Sequence, residues 1–410
     1  MAMKRTPSKP ARTPWVFLGI GAGASLAAVL SAATSGLAAY FARRIVVPER
    51  AEEPLEILHV SGFDGEMSIL LAADDETMVP GRYGLVFDGG RGHARIGDIL
   101  EYDPRAGTVL RSVLGVDAGT LRKARRGRWS AAYYRNPDAA GVPSTEITMH
   151  SDAGELPAWC IPGNPSAVEG FTDVWAILIH GRGGTRAAGL SAVRPLRRLG
   201  ITSLAIAYRN DAEVQPPDDS RYGLGDTEWL DVDAAIEYAL DHGARRIVLF
   251  GWSMGGAIAF QSASRSRFKS AISALVLDAP VVDWFAVLDR QAKINKLPTP
   301  VARLSLSMIS RPWARWITGL ETPLDLHRMD WVTRAAELDK PVLLIHSDDD
   351  DFVPSRPSHL LARARSDLVT MPVYDTARHT KEWNVDPERW DDDVARFLSG
   401  VLSRPGSRGD

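Results

Sequence analysis

The pattern of hydrophobic and polar positions changes twice along the chain. Residues 15–42 carry no charged side chain, residues 56–135 alternate over short stretches separated by turns, and continuous apolar runs follow Pro143. These patterns are typical of a membrane helix, a β-rich region and an α/β domain, in that order. The predicted parts are residues 1–50, 51–142, 143–404 and a short tail, 405–410.

The uncharged run over residues 15–42 is long enough to cross a membrane. As an α-helix it would measure roughly 40 Å, which exceeds the hydrocarbon core of a bilayer. It also lacks the polar face of an amphipathic globular helix. We predict an uncleaved, single-pass transmembrane anchor. A cleavable signal peptide is the alternative, because small residues that suit a peptidase occur at Ser31-Ala32-Ala33.

Basic residues flank this run on both sides. The larger number precedes it, and the positive-inside rule therefore favours a cytoplasmic amino terminus and an extracytoplasmic body. They are Lys4, Arg5, Lys9 and Arg12 before the run, and Arg43, Arg44 and Arg50 after it.

The accessory region, residues 51–142, is predicted to consist of short strands without long helices. Glycine-containing turns separate the strands, and no residue of the region suggests a recognisable chemistry. The predicted strands are Ile57–Val60, Met67–Leu71, Tyr83–Phe87 and Thr108–Val113.

The larger domain, residues 143–404, alternates continuous apolar runs with helical patterns. Strands that are covered on both faces lose the apolar–polar alternation, so these runs indicate a mostly parallel sheet with helices on both sides. A helical insertion, residues 281–340, interrupts the alternation. The predicted strands include Val174–Ile179, Ile201–Ala207, Arg246–Phe250, Ala274–Leu277 and Val342–Ile345.

Ser253 lies at the centre of Gly251-Trp252-Ser253-Met254-Gly255, between a predicted strand and a predicted helix. A serine at such a junction sits on a sharp turn that requires small neighbours, and the turn exposes its hydroxyl at the carboxyl edge of the sheet. The following helix N-terminus favours negative charge that develops there. The pattern therefore predicts Ser253 as a nucleophile.

Acid and base candidates follow Ser253 in the order that this type of sheet requires. Four consecutive aspartates, residues 348–351, come directly after one predicted strand, and His379 comes shortly after the next. Both groups lie at the sheet edge that carries the serine. We predict His379 as the base and one of the aspartates as the supporting acid. Asp278, at the end of an earlier strand, is an alternative acid.

From residue 143 to 404 the chain resembles the α/β-hydrolase superfamily. The segment HSDDDDFVP, residues 346–354, is similar to the family pattern H-G-x-x-D-x-x-V-P, although Ser347 stands at the glycine. The resemblance places the acid on Asp350 rather than on Asp348, Asp349 or Asp351. It also implies an α/β-hydrolase fold in which the helical insertion forms a lid over the site.

The segment His180-Gly181-Arg182-Gly183-Gly184 is similar to the oxyanion motif of that family. The resemblance gives His180 a structural role and implies the backbone N–H of Arg182 as an oxyanion donor, with the N–H of Met254 as the second. The segments Tyr208-Arg209 and Gly223–Trp229 are similar to the esterase and prolyl-oligopeptidase branches.

Composition narrows the chemistry further. A net charge of -3 and the lack of a basic stripe give no reason to expect a nucleic acid partner. Cys160 is the only cysteine, so the chain can form neither an internal disulfide nor a thiolate metal cluster. His327 and His359 have no partner pattern and are interpreted as ordinary residues. We expect no metal and no organic cofactor.

A Ser-His-Asp site that works through an acyl-enzyme predicts hydrolysis of carboxylic ester or thioester bonds. An apolar lid next to a membrane favours small acyl or lipid-like substrates, by analogy with the resembling family. A serine peptidase of the prolyl-oligopeptidase type is the first alternative. A non-enzymatic membrane protein that uses the fold as a binding platform is the second, and the complete triad argues against it. The sequence does not predict the oligomeric state.

Overall fold

A computed structural model describes residues 32–48, 51–62, 66–167, 170–214 and 220–403 of the chain. The predicted tail and the first part of the predicted membrane run, residues 15–31, lie outside the described residues.

The described chain begins with a helix over residues 32–46, here α1. Its side chains Ala38, Ala42 and Val46 are fully buried in the core of the larger domain. One face of residues 32–42, which the sequence predicts as the end of a membrane span, therefore packs against protein through Ala38 and Ala42. On the other face, Leu37 and Tyr40 are 40% and 56% exposed. Within the described ranges, no helix has both the length and the apolar character needed to cross a bilayer.

The accessory region folds into a closed six-stranded barrel with antiparallel pairs throughout. The strand order is β1-β2-β5-β4-β3-β6, and pairing of the first strand with the last closes the barrel. Its interior is apolar and includes Ile69, Leu85 and Ile96, all fully buried. The strands are β1 (Leu55–Ser61), β2 (Met67–Ala72), β3 (Tyr83–Phe87), β4 (Gly92–Asp103), β5 (Thr108–Ala118) and β6 (Arg126–Ser130).

The larger domain contains a nine-stranded, mostly parallel sheet. Its main order is β14-β13-β12-β11-β9-β10-β8-β7, with β15 paired to β13, and the pairs formed by β8 are antiparallel. The central strands are buried along their whole length, as their continuous apolar sequences predict. The strands are β7 (Thr145–Ser151), β8 (Gly154–Ile161), β9 (Val174–Ile179), β10 (Thr202–Ile206), β11 (Arg246–Trp252), β12 (Ile272–Asp278), β13 (Val342–Ser347), β14 (Val369–Thr370) and β15 (Val373–Tyr374).

Helices cover both faces of this sheet. One apolar layer contains residues of α1, α3, α4 and the insertion, and the opposite layer contains residues of α2 and α10. The predicted three-layer α/β architecture is thus present. The helices outside the insertion are α2 (Val193–Arg198), α3 (Trp229–Asp241), α4 (Met254–Arg265), α8 (Arg356–Ala364), α9 (Glu382–Val385) and α10 (Pro387–Leu402).

The insertion between β12 and β13 is helical and rich in tryptophan. Trp284 and Trp331 are buried within it, whereas Trp313 and Trp316 are 52% and 84% exposed. Its helices are α5 (Trp284–Ile294), α6 (Thr299–Ser310) and α7 (Arg315–Thr318). The buried Ser305 hydroxyl of α6 donates to the carbonyl of Ala38 in α1 at 3.0 Å, so α1 packs directly on this insertion.

Candidate active site

Ser253 occupies the sharp turn between β11 and α4. Its φ and ψ are 54° and -117°, a conformation that L-residues rarely adopt. A side chain at Gly255 would collide with the carbonyl oxygen of Ile179, which explains the glycine at this position. The Ser253 N–H donates to the carbonyl of Asp278 at 3.0 Å, and the Ser253 carbonyl accepts from Val281 N at 3.0 Å. These contacts hold the strained turn in place.

His379 lies beyond β15 and bridges the serine and an aspartate. Its Nε2 lies 2.8 Å from Ser253 Oγ, and its Nδ1 lies 2.7 Å from Asp350 Oδ2. Because Nδ1–H donates to the carboxylate in this arrangement, Nε2 is left as the acceptor for the serine hydroxyl. The structure thus brings three residues that are far apart in sequence into one hydrogen-bonded chain.

Asp350 is held as an ionised carboxylate in a buried position. Its Oδ1 accepts from the N–H groups of Phe352 and Val353 at 2.8 Å each, and its Oδ2 also lies 3.2 Å from His346 Nε2. Burial favours the protonated acid, but the charge of His379 and the hydrogen bonds from both histidines outweigh it and hold the pKa of Asp350 well below its ordinary value.

The other three aspartates of the run point elsewhere. Asp348 bonds to Ser355 and His359 at the surface, Asp349 pairs with Arg378, and Asp351 is exposed. The structure therefore places Asp350 beside the histidine, in the register that the sequence pattern suggests.

The alternative acid, Asp278, makes no described hydrogen bond to His379. Its Oδ2 accepts from Trp390 Nε1 at 2.7 Å, whereas its Oδ1, like Oε2 of the neighbouring and fully buried Glu382, is buried without a described hydrogen-bond partner. Glu382 Oε1 accepts from the N–H of Ser347 at 3.0 Å. Two facing carboxyl groups can hydrogen-bond only when they share a proton. Burial and the neighbouring charge of Asp278 accordingly raise the pKa of Glu382 well above its ordinary value.

The loop after β9 lies directly against the serine turn. The position of a side chain at Gly181 would be 3.0 Å from Ser253 Cβ, so the following residue, Arg182, is next to the serine in space. Met254 is the first residue of α4, where backbone N–H groups are not used by the helix. The structure thus brings both sequence-predicted oxyanion donors to the serine turn.

The side chain of His180 holds this loop through hydrogen bonds. It is buried, its Nε2 lies 2.8 Å from Asp211 Oδ2, and its Nδ1 lies 2.8 Å from the carbonyl of Gly181. Burial opposes the charged form, yet Asp211 raises the pKa of His180 above its ordinary value. The contacts give His180 a structural place, as the sequence resemblance implies.

The side chain of Arg182 connects the loop to α1. Its Nη2 donates to the carbonyls of Arg44 and Val47 at 2.8 and 3.2 Å, at the carboxyl end of that helix. Its guanidinium also lies 5.2 Å from the ring centroid of Tyr222, whose N–H donates to the carbonyl of Val46 at 2.8 Å. A cation at a helix carboxyl end is favourable, because carbonyl groups there have no partner within the helix.

Sequence reasoning missed Asp211, Tyr222 and Glu382. Tyr222 accepts a hydrogen bond from Gly183 N through its hydroxyl at 3.2 Å. Asp211 lies in the loop after β10, five residues beyond Ile206, and its place after a buried strand could have marked it as a candidate. Glu382 carries no such signal, because it stands in a polar stretch that is typical of an exposed helix start.

A family model described as the alpha/beta hydrolase family matches residues 176–397, more than half of the chain. With a doubly covered parallel sheet and a serine at the strand–helix turn, the chain belongs to the alpha/beta hydrolase family. A second model, described as a domain of unknown function, matches residues 56–130 and coincides with the barrel.

A monoacylglycerol lipase of Mycolicibacterium smegmatis is 31% identical over 163 residues, which are 34% of this chain and 58% of the relative. The match thus spans less than two thirds of that relative's length. Among solved structures, an esterase of Pyrococcus furiosus has a TM-score of 0.49 and 21% identity, covering 65% of this chain and 94% of its own. A bacterial membrane phospholipase A has a TM-score of 0.44 and 19% identity, covering 64% and 88% respectively.

Proposed function

We propose that this protein is a serine hydrolase that cleaves carboxylic ester or thioester bonds of acyl or lipid-like substrates. The observation that carries the proposal is the hydrogen-bonded chain from Ser253 Oγ through His379 to Asp350. The family and the similarity to a monoacylglycerol lipase support it.

The reaction follows from the geometry of the three groups. His379 Nε2 takes the proton of Ser253 as Oγ attacks the substrate carbonyl carbon, and the carboxylate of Asp350 stabilises the imidazolium that forms. The imidazolium then gives its proton to the departing alcohol or thiol, leaving an acyl-enzyme. Water attacks the acyl group, His379 takes a proton from that water, and the acid product leaves as Ser253 regains its proton.

The oxyanion of each tetrahedral intermediate is assigned to the N–H groups of Arg182 and Met254. Removal of one such donor costs about 3 kcal/mol of transition-state stabilisation in comparable sites. The α4 N-terminus adds its partial positive charge at the same place.

One feature favours an apolar acyl substrate over a peptide. Phe352 lies with its ring 5.2 Å from the His379 ring, and it is 44% exposed beside the reacting groups. Cleavage of aminoacyl amides in preference to esters would replace this proposal with the peptidase alternative.

The test is a comparison of acyl esters, acyl thioesters and aminoacyl amides with the full-length protein, together with a fluorophosphonate probe. We expect the probe to label wild type and not Ser253→Ala, and we expect turnover of esters or thioesters. A probe that still labels Ser253→Ala, or a wild type that turns over none of the three substrate types, would contradict the proposal.

We also propose that the run over residues 15–31 attaches the protein to a membrane, with the body extracytoplasmic. The run is uncharged and precedes α1 in the chain, and as a helix it would still reach roughly 25 Å. Because α1 packs on the insertion next to the site, attachment would bring the insertion close to lipid.

We expect the full-length protein to sediment with membranes and to resist extraction by alkaline carbonate. A mature amino terminus near residue 34 or 36 would instead indicate the cleaved signal peptide. Protease added to intact cells tests orientation separately, because protection of the body would mean that it is cytoplasmic.

A further inference from the structure

The loop that carries His379 contains a residue in a conformation that must be held. Thr380, directly after the histidine, has a φ of 57°, in the left-handed region that a β-branched residue avoids. Its hydroxyl donates to the carbonyl of His379 at 2.8 Å. Such a backbone persists only where the surroundings fix it. The next question is which part of the molecule does so.

The barrel contacts the loop on both sides of the histidine. Lys381 Nζ lies 2.9 Å from Glu76 Oε2 of the barrel and 3.5 Å from the carbonyl of His379 itself. On the other side, Arg378 Nε donates to the carbonyl of Asp75 at 3.4 Å. The ammonium group of Lys381 thus links a barrel carboxylate to the backbone of the histidine.

A third contact follows a few residues further on. Asn384 is 1% exposed, and its Nδ2 donates to the barrel carbonyl of Arg82 at 2.6 Å and to that of Ala131 at 3.0 Å. The Asn384 carbonyl accepts from Arg82 N at 2.9 Å. A side chain at Gly81 would collide with that same carbonyl, so the two backbones approach closely here.

The barrel segment that makes these contacts, residues 74–82, is itself fixed by a buried arginine. Arg111 is fully buried in the barrel, and its guanidinium donates five hydrogen bonds to backbone carbonyl groups. Its guanidinium also lies over the rings of Tyr83 and Trp129 at 5.3 and 5.2 Å. The accepting carbonyls belong to Thr77, Val79, Gly81 and Gly97.

We propose that the barrel acts as a positioning element for His379, with Glu76, Lys381 and Asn384 as the positioning residues. The inference rests on the proposed function, since it assigns His379 as the base. Proton transfer requires the histidine to stay within about half an ångström of its productive position between its two partners. The contacts meet this need because they fall on both sides of the histidine and reach its own carbonyl.

The experiment uses the full-length chain and three measurements: kcat, KM and the rate at which the fluorophosphonate labels Ser253. Glu76→Gln is expected to lower kcat and the labelling rate about tenfold while KM changes less than about twofold, since misplacement affects the reacting geometry and not substrate binding. The exposed Glu101 of β4 provides the matched control, and Glu101→Gln should match wild type.

Lys381→Met removes the ammonium group that links Glu76 to the His379 carbonyl, so we expect it to lower kcat as Glu76→Gln does. The double variant Glu76→Gln with Lys381→Met should fall little further than either single variant, because both changes remove the same link. Arg111→Met, which changes no residue that touches the hydrolase domain, should reproduce the fall in kcat. Thermal unfolding is recorded for every variant, so that a loss of folded protein is separated from a loss of rate.

The outcomes separate the two hypotheses. If wild type is not labelled, the proposed function fails and the inference fails with it. If wild type is labelled but folded Glu76→Gln is labelled at the same rate, only the positioning role is overturned. A double variant whose kcat falls by the product of the two single effects also overturns it, because the two residues would then act independently.

Discussion

Asp278 ends β12, and Asp350 lies just beyond the end of the neighbouring strand β13. Both carboxyl groups are buried, at 2% and 4% exposure, yet their surroundings favour opposite states. Burial raises the pKa of Asp350, but the charges and hydrogen bonds of His379 and His346 outweigh it and lower that pKa, whereas Asp278 lies beside Glu382, and burial raises the pKa values of that pair. Burial alone therefore does not fix the ionisation of an acid; its hydrogen-bonding partner does.

The comparison also separates two tasks within one edge of the sheet. The ionised Asp350 can stabilise a positive charge on His379, while a proton shared by Asp278 and Glu382 would remove one negative charge from the same region. The second pair connects the end of β12 to α9 and α10 through Glu382 and Trp390. Its role in this interpretation is structural.

The largest effect is expected at His379, which, of the two acids, bonds only to Asp350. His379→Ala should lower kcat on the order of a millionfold, because the residues of such a triad act as a unit. Single-turnover acylation measures this loss, with His359→Ala as the control histidine. Activity within a hundredfold of wild type would remove His379 from the mechanism.

The second prediction concerns the negative charge of Asp350. Asp350→Asn should lower kcat roughly ten-thousandfold, because the amide favours the wrong tautomer of the histidine. Asp351→Asn, at an exposed neighbour, should keep most of the activity. If Asp350→Asn were nearly wild type, the supporting acid would have to be sought elsewhere.

The third prediction concerns Asp278. Asp278→Asn should keep kcat within about tenfold of wild type, because this carboxyl group makes no described bond to the histidine and acts on the site only through packing. Steady-state kinetics on the folded variant measure the effect. An inactive Asp278→Asn beside an active Asp350→Asn would move the acid to the earlier strand.

The smallest expected effect is on the pH dependence of the free energy of unfolding. Asp350 and Glu382 should contribute to it with opposite signs. Asp350 has a lowered pKa, so its contribution is present above the ordinary aspartate pKa and is lost as pH falls below about 4. Glu382 has a raised pKa, so its contribution is present at low pH and declines as pH rises above about 4.5, by up to about 1.4 kcal/mol per pH unit for one proton.

Urea unfolding of wild type and Glu382→Gln between pH 5 and 8 isolates the second contribution by difference, because other groups that titrate in this range, such as Asp391 with a pKa raised by burial to about 6, are common to both proteins. Glu382→Gln can donate to Asp278 without a titrating proton, so its free energy of unfolding should vary less with pH than that of wild type. Glu388→Gln, near the start of α10, serves as the control. Parallel pH curves for wild type and Glu382→Gln would show that the pair shares no proton.

The hydrolase sheet and the serine turn could be predicted because their signals are local. Strands such as β9 and β13 are continuous apolar runs, and Ser253 stands in a glycine pattern that only a tight strand–helix turn requires. The register of the aspartates followed from a family resemblance, and the structure brings Asp350 to the histidine.

What could not be predicted depends on contacts between distant segments. The strands β4 and β6 carry charged residues on their outer faces, so neither stood out as a strand, and closure of the barrel depends on pairing between β1 and β6. The helix α1 shows a different limit. A run of alanine and other apolar residues gives the same sequence pattern whether lipid or protein covers it. The burial of Ala38, Ala42 and Val46 in the core of the larger domain identifies protein on that face of α1.

This packing also matters for handling the protein. The small side chains of α1 share an apolar cluster with Val301 and Met308 of α6, and Arg43 donates to the carbonyl of Ile317. A shortened chain that begins at residue 51 would lack α1 and expose these apolar side chains of α6 to water, which favours aggregation. A chain shortened to begin at residue 32 retains α1 over this surface, and it is the better starting point for soluble material.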